Sequence, residues 1–273
     1  MEKDTLIFTV AQGKLYERLA SNLLRSIKTF HEDATTACLS KNCPNFCDIH
    51  IPLDKDVNEF CIGGQSYSFK LGILPHMKNV LKDFKKLIYI DSDSECVDKM
   101  HFDESIYNSD FYSAWCQSIV TENPSVKSKI NPEWNWLGQS FRKYTDFALE
   151  NGIKEWKNVN GGLIVVSCEK IDFICEKFRI WMEKINSFYS KNAGNDELVM
   201  SLILAEMYPR YETPDICRNG ICQLNMHYDP RTIRKNKSFM YDPWFNSSGS
   251  TLVKATCVHS PGGKNVLVAD VPE

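Results

Sequence analysis

Short apolar runs and amphipathic stretches take turns along this 273-residue chain. Leu6-Ile7-Phe8-Thr9-Val10 is a short, mostly apolar run that predicts a first strand over residues 5–11. Leu15, Leu19, Leu23, Ile27 and Phe30 then recur at the spacing of one helix face, which predicts an amphipathic helix over residues 15–30. Residues 35–39 read as a second strand, and 48–53 as a third, ended by Pro52. Gly63-Gly64 marks a turn. Residues 69–84 carry a helical pattern in Leu71, Leu74, Met77, Leu81 and Phe84, with Pro75 at a helix start or kink. Residues 87–90, 111–115 and 163–166 read as further strands, 171–188 and 196–207 as helices, and 251–258 as a late strand. Between them, residues 118–155 carry Pro124, Asn131, Pro132 and Gly138 and predict a long irregular excursion of the functional kind.

Strands alternating with helices imply an α/β fold, with crossover helices covering a central sheet. No repeat, heptad run or shift in composition marks a boundary, so one domain over residues 1–273 is expected. The net charge of −3 comes with no basic block, which argues against nucleic acid as a partner. No apolar run approaches the roughly 18 residues that span a membrane. The first apolar stretch is too short for a signal peptide and is broken by Gln12, Gly13 and Lys14, so a cytoplasmic location is expected. The 11 cysteines are scattered, and without a secretion signal they read as free, mostly buried thiols. Cys38, Cys43 and Cys47, and the pair Cys217 and Cys222, match zinc-knuckle spacings only loosely.

The candidate chemistry starts where the strand over residues 87–90 runs into Asp91-Ser92-Asp93. Open α/β sheets bind ligands beyond the carboxyl ends of their strands. Hard divalent cations take carboxylate oxygens together with substrate phosphates, so two carboxylates at this position point to a metal–diphosphate site. Asp93 reads here as an exposed loop carboxylate and Lys70 as a cation on a helix surface. Asn160 is followed by Gly161-Gly162 at the head of an apolar run, where glycine implies close approach of a ligand to the backbone. Asp196 and Glu197 open a helix, a location that the helix dipole favours for acids. His259 precedes Gly262, Gly263 and Lys264, a turn with a cation that is able to fold over a phosphate. Trp134 and Trp136 either line a sugar-acceptor surface or anchor the excursion to the core.

These stretches occur in a telling order: Val10 to Tyr16, Lys70-Leu71, Tyr89 to Asp93, Asn160 to Val166, Asn195 to Leu198, and His259 to Lys264. Over roughly residues 5–265, apart from 118–155, the chain resembles the A-type nucleotide-sugar glycosyltransferases. It is most similar to glycosyltransferase family 8, the glycogenin and bacterial galactosyltransferase group. The resemblance implies a single Rossmann-like nucleotide-diphospho-sugar transferase domain, a mixed central sheet flanked by helices. Its nucleotide-binding half would cover residues 1–117, and its acceptor and catalytic half, residues 156–273, would end in His-x-x-Gly-x-Lys. It implies metal-dependent transfer of a hexose from a UDP-sugar donor to a glycan or protein acceptor, with retention of configuration. Asp91, Asp93 and His259 would hold Mn²⁺ (or Mg²⁺), the imidazole favouring manganese. Asp91 would also reach the ribose, and Ser92 would offer its backbone. Tyr16 would stack on the nucleobase, with Ala11 and Gln12 contacting base and ribose. Asn160, beside Gly161, would hydrogen-bond the donor sugar, while Lys70, Gly262 and Lys264 would contact the diphosphate. Asp196 and Glu197 would face the reacting carbon.

The chain departs from the family in two places. Glu197 stands where the family has glutamine, a carboxylate able to act as nucleophile or base where an amide is not. The C-terminal motif has one residue fewer before Lys264, and Asn265-Val266 replaces Pro-Trp. The alternatives are a sugar-phosphate nucleotidyltransferase and an inactive nucleotide-sugar-binding protein. The first calls for a glycine-rich basic signature that Ala11-Gln12-Gly13-Lys14 matches poorly, and intact Asp91, Asp93 and His259 argue against the second.

Overall fold

The computed structural model describes residues 4–62, 67–100, 108–121, 135–136, 139–188, 196–208, 221–223, 240–241, 253–254 and 257–259. Strand β1 (Thr5–Ala11) is buried at every position, as its unbroken apolar run requires. Gly13, at φ 90° and ψ 158°, turns the chain into helix α1 (Lys14–Phe30), a backbone conformation essentially confined to glycine. Strands β2 (Thr35–Ser40) and β3 (Ile49–Pro52) follow, both parallel to β1.

The stretch expected as one helix over residues 69–84 is broken. A short helix α2 (Phe69–Gly72) leads into a 3₁₀ turn (Leu74–Met77) and then α3 (Lys78–Leu81). Pro75 lies at the start of the 3₁₀ turn, because its missing N–H and fixed φ are tolerated in a first turn and disrupt a helix interior. Next come β4 (Lys86–Ile90), β5 (Ser94–Cys96) and β6 (Phe111–Thr121).

Of the segment read as an irregular excursion, residues 122–134 and 137–138 lie outside the described residues, and the described remainder is in large part regular. β6 runs on to Thr121, and a small antiparallel pair, β7 (Asn135–Trp136) and β8 (Gln139–Ser140), precedes helix α4 (Phe141–Glu150). The Ser140 hydroxyl caps α4 by accepting from the Lys143 N–H. Strand β9 (Glu155–Ser167) is far longer than the apolar core 163–166 that announced it. Helices α5 (Ile171–Phe188) and α6 (Asp196–Met207) match their expected spans. Of the expected late strand over 251–258, residues 251, 252, 255 and 256 lie outside the described residues, and the others are strand. After β10 (Ile221–Gln223) and β11 (Met240–Tyr241) come β12 (Val253–Lys254) and β13 (Cys257–His259).

The main sheet is mixed, with order β3-β2-β1-β4-β9-β6. β1 to β4 run parallel, and β9 is antiparallel to both β4 and β6. One face, including Leu6, Phe8, Leu87, Ile164 and Val166, packs in a cluster with residues of α2, α3, α4, α5 and α6. The other, including Ile7, Ile88, Leu163 and Val165, packs with Leu23, Leu24 and Ile27 of α1. Each such side chain contributes roughly 1.5–3 kcal/mol by leaving water. In α6 every residue from Leu198 to Ala205 is buried, so it is an interior helix lying against β9. A second sheet, β10-β13-β5, returns the chain's end to the segment just after β4.

Candidate metal and nucleotide site

Chain order reverses direction across the sheet between β1 and β4, since β1 leads outward to β2 and β3 while β4 opens the other half. The carboxyl ends of two parallel strands meet there, the position where open α/β sheets leave a ligand crevice. A cavity of about 310 Å³ occupies it, lined by Val10, Gln12, Tyr16, Tyr67 and Lys70 and by Asp91, Ser92 and Asp93. That volume is at the low end for small-molecule sites.

Asp91 and Asp93 flank the turn between β4 and β5, and His259 reaches them from β13 because β13 pairs with β5 in the register His259↔Ser94. His259 Nε2 is 3.2 Å from Asp93 Oδ1 and 3.6 Å from Asp91 Oδ2. One ligand atom from each of the three residues lies within 4.8 Å of the others. Two carboxylate oxygens and an imidazole nitrogen at this separation fit a divalent ion of the Mn²⁺ or Mg²⁺ class. Among the described residues this is the one group of histidine, cysteine and acidic side chains so arranged. Asp93 is not the exposed loop acid expected: it is only 7% accessible, because β13 folds over the turn that carries it.

Lys70 corrects a second expectation. It is 7% accessible rather than a solvated helix cation. Its ammonium donates to Asp91 Oδ2 at 3.0 Å and to the Gly161 carbonyl at 3.1 Å. Burial alone would drive its pKa down, but the nearby Asp91, Asp196 and Glu197 carboxylates outweigh that and raise it. The other oxygen of Asp91 accepts a 2.5 Å bond from the Tyr89 hydroxyl. Tyr89 was not among the expected site residues, although it lies two residues before Asp91, near the end of β4, a spacing that puts extended-chain side chains on one side. Burial, and then the Asp91 charge, raise its phenol well above the ordinary range, so it keeps the proton that it donates to Asp91.

The Gly161-Gly162 pair has a structural cause. In β9, Ile164 faces Ser113 of β6 while Asn160 faces the next residue, Ala114, so Gly161 to Leu163 form a bulge. The bulge turns backbone groups toward the site: the Asp91 N–H donates to the Gly162 carbonyl at 2.9 Å, and the Gly161 N–H to Glu197 Oε1 at 3.0 Å. A Cβ on Gly161 would lie 3.1 Å from Lys70 Nζ, 3.2 Å from Met200 Cε and 3.3 Å from Asp196 Oδ2. Protein groups thus make the close approach that the sequence assigned to a ligand. Asn160 is placed by its backbone, opposite Ala114.

Asp196 is buried at the start of α6, with Glu197 half-buried beside it. Burial and, for Asp196, the Asp91 charge raise its pKa against the pull of Lys70. Burial and the adjacent Asp196 carboxylate push Glu197 up to about 7. The pair therefore shares its charge unequally, and a proton is retained well above the usual carboxylate range.

Gln12 and Tyr16 both line the cavity. Gln12 also has a structural role, its amide oxygen accepting from the Val57 N–H at 3.2 Å and tying the Val57–Phe60 turn to the end of β1. Ala11, expected to contact the donor through its backbone, buries its side chain in the core, and Val10 lines the cavity. Tyr67 and Asn58 line it too; they were legible only as polar or aromatic loop residues. Gly262, Lys264 and Trp134 lie outside the described residues, and Trp136 is placed by its backbone on β7.

No protein-family model matches the chain, and neither does any curated protein to which it was compared. No helix among the described residues is long and apolar enough to cross a membrane.

Proposed function

We propose that this chain is a metal-dependent glycosyltransferase of the A-type fold. It transfers a hexose from a UDP-sugar to a glycan or protein acceptor, with retention of the anomeric configuration. The observation that carries this reading is the convergence of Asp91, Asp93 and His259, of which both carboxylates line a cavity between the carboxyl ends of β1 and β4. An acidic cluster on a surface would need no ligand. This one draws its members from strands distant in sequence and buries two of the three.

Asp91, Asp93 and His259 would hold a divalent ion, which when bound would supply Lewis-acid neutralisation of a diphosphate leaving group. The remaining roles belong to the chain. Tyr16 and Tyr67 offer rings to a nucleobase, and Val10 offers an apolar wall. Lys70 has three N–H donors, of which Asp91 and Gly161 engage two, leaving one for a phosphate or sugar oxygen. Tyr89 and Lys70 hold Asp91 between them, so that its orientation is set before the donor arrives. Asp196 and Glu197 provide negative charge against the oxocarbenium charge that develops at the reacting carbon.

The test is incubation with a panel of UDP-hexoses, with Mn²⁺ or with a chelator, followed by proton NMR of the fresh product. The expected result is UDP release only with metal and an α-configured product. Pyrophosphate release from UTP and a sugar phosphate would instead support a nucleotidyltransferase. A β-configured product would overturn retention and move the catalytic role to a carboxylate base such as Glu197.

A further inference from the structure

β5 and β13 pair antiparallel with Cys96 directly opposite Cys257, Glu95 opposite Val258 and Ser94 opposite His259. The Cys96 N–H donates to the Ser26 hydroxyl of α1 at 2.9 Å, so it points away from β13. Cys96 and Cys257 therefore occupy a non-hydrogen-bonded position of the ladder, where facing Cα atoms stand about 4.5 Å apart and side chains come closest. That separation lies within the roughly 4.4–6.8 Å that a disulfide spans without backbone movement. Both thiols are free and sealed, 2% and 1% accessible, in the apolar cluster that α1 covers. Cys38 shares that cluster but sits on β2, which pairs with β1 and β3.

We propose that Cys96 and Cys257 are an oxidisable cross-strand dithiol, and that their disulfide staples the strand carrying His259 to the strand following Asp91-Ser92-Asp93. With hydrogen peroxide as oxidant, one thiol sulfur displaces water from the peroxide and becomes a sulfenic acid. The second sulfur displaces water from that, the S–S bond forms, and the two electrons and two protons end in two molecules of water. His259 lies two residues beyond Cys257 on the same face of β13, so the staple fixes the imidazole relative to both carboxylates. Because the thiols are sealed, oxidant reaches them when β13 lifts from β5. A divalent ion on Asp91, Asp93 and His259 ties the same strand down and slows the reaction. By linkage, the cross-linked form binds that ion more tightly. This consequence rests on the metal-site reading; the cross-link does not.

The test starts from the fully reduced protein. It is exposed to hydrogen peroxide with and without Mn²⁺, free thiols are alkylated, and peptides are mapped without reduction. Mn²⁺ affinity is measured by electron paramagnetic resonance before and after. The expected result is a Cys96–Cys257 linked peptide that dithiothreitol abolishes and Mn²⁺ slows, with the Mn²⁺ Kd of the oxidised form lower by about threefold or more. Cys257→Ser should lose both the linked peptide and the change in affinity. Cys96→Ala, at the sheet edge, serves the same purpose if that variant fails to fold. Recovery of Cys96 and Cys257 as alkylated thiols while Cys43, Cys47 or other cysteines oxidise overturns the proposal. A cross-linked protein with unchanged Mn²⁺ affinity overturns the claim that the staple fixes His259 at the site. If neither form binds Mn²⁺, the metal reading and the staple's effect on it both fall, while the peptide map still decides the cross-link.

Discussion

Tyr89, Lys70 and Asp91 form a buried chain in which the loss of any member strands its neighbour. Tyr89→Phe removes only the hydroxyl and leaves the ring in the core. Partners behind metal ligands are typically worth 10–100-fold in affinity, so this variant should weaken Mn²⁺ binding about tenfold, with little change in thermal midpoint. Calorimetric titration of Mn²⁺ decides it, and an unchanged Kd would leave Tyr89 a core residue only. Lys70→Met has the opposite profile. It leaves Asp91, Asp196 and Glu197 without their shared cation, which should cost roughly 3–5 kcal/mol in denaturant unfolding. Added Mn²⁺ should restore part of that loss. At this scale the sequence revealed which residues carry charge but not how they are paired. Burial of Lys70 and Asp93 arises from α2 and β13 packing onto the β4 turn, contacts between residues far apart in sequence.

Glycine decides how the elements wall the cavity. A Cβ on Gly72 would lie 1.9 Å from the Phe60 carbonyl oxygen, so α2 can lie against the Val57–Phe60 turn only because residue 72 has no side chain. Val57, Asn58, Phe69 and Lys70 all line the cavity, which links that packing to the site. Gly72→Ala should destabilise the fold by about 1–3 kcal/mol, as over-packing does, and should weaken UDP binding as well. Paired urea unfolding and UDP titration check both halves, and a stable variant with normal UDP affinity would show that the two walls move independently. The strands and helices with unbroken patterns were legible: β1, α1, β2, α5 and α6 fall within a residue or so of their expected bounds. Tertiary pairing overrode local propensity elsewhere. β9 extends back through Asn158, Asn160 and two glycines because β6 supplies partners along its length. Helix α4 was overlooked although Tyr144, Phe147 and Ala148 share a buried face, because the prolines and glycine nearby dominated the reading.

Across the whole molecule, the sheet sets two strand ends side by side, and the returning C-terminal sheet closes the site with a histidine from 166 residues beyond Asp93. The α/β class and the Asp-x-Asp position were readable from apolar runs. The pairing of β13 with β5 was not, since nothing local in Cys257-Val258-His259 specifies a partner strand. Burial of Glu197 beside the Asp196 carboxylate makes the metal-free protein sensitive to pH. Glu197 faces Asp196 on α6, Lys70 on α2 and Asp91 after β4, and its value rises from 4.5 to about 7 on folding. The folded state then binds more protons than the unfolded chain across that interval, so its contribution to stability is complete below about pH 4.5 and is lost as pH rises through about 7. Urea midpoints measured without metal should fall across that range, and Glu197→Gln should flatten the slope. The central claim is that Asp91, Asp93 and His259 join metal and diphosphate at the cavity between β1 and β4. Calorimetric titration of UDP into the wild-type protein and Asp93→Asn, each with and without Mn²⁺, tests it most directly. The account predicts that Mn²⁺ tightens UDP binding to the wild type by tenfold or more, about 1.4 kcal/mol or greater, and that Asp93→Asn abolishes this gain. Equal UDP affinity with and without Mn²⁺ in the wild-type protein would contradict it.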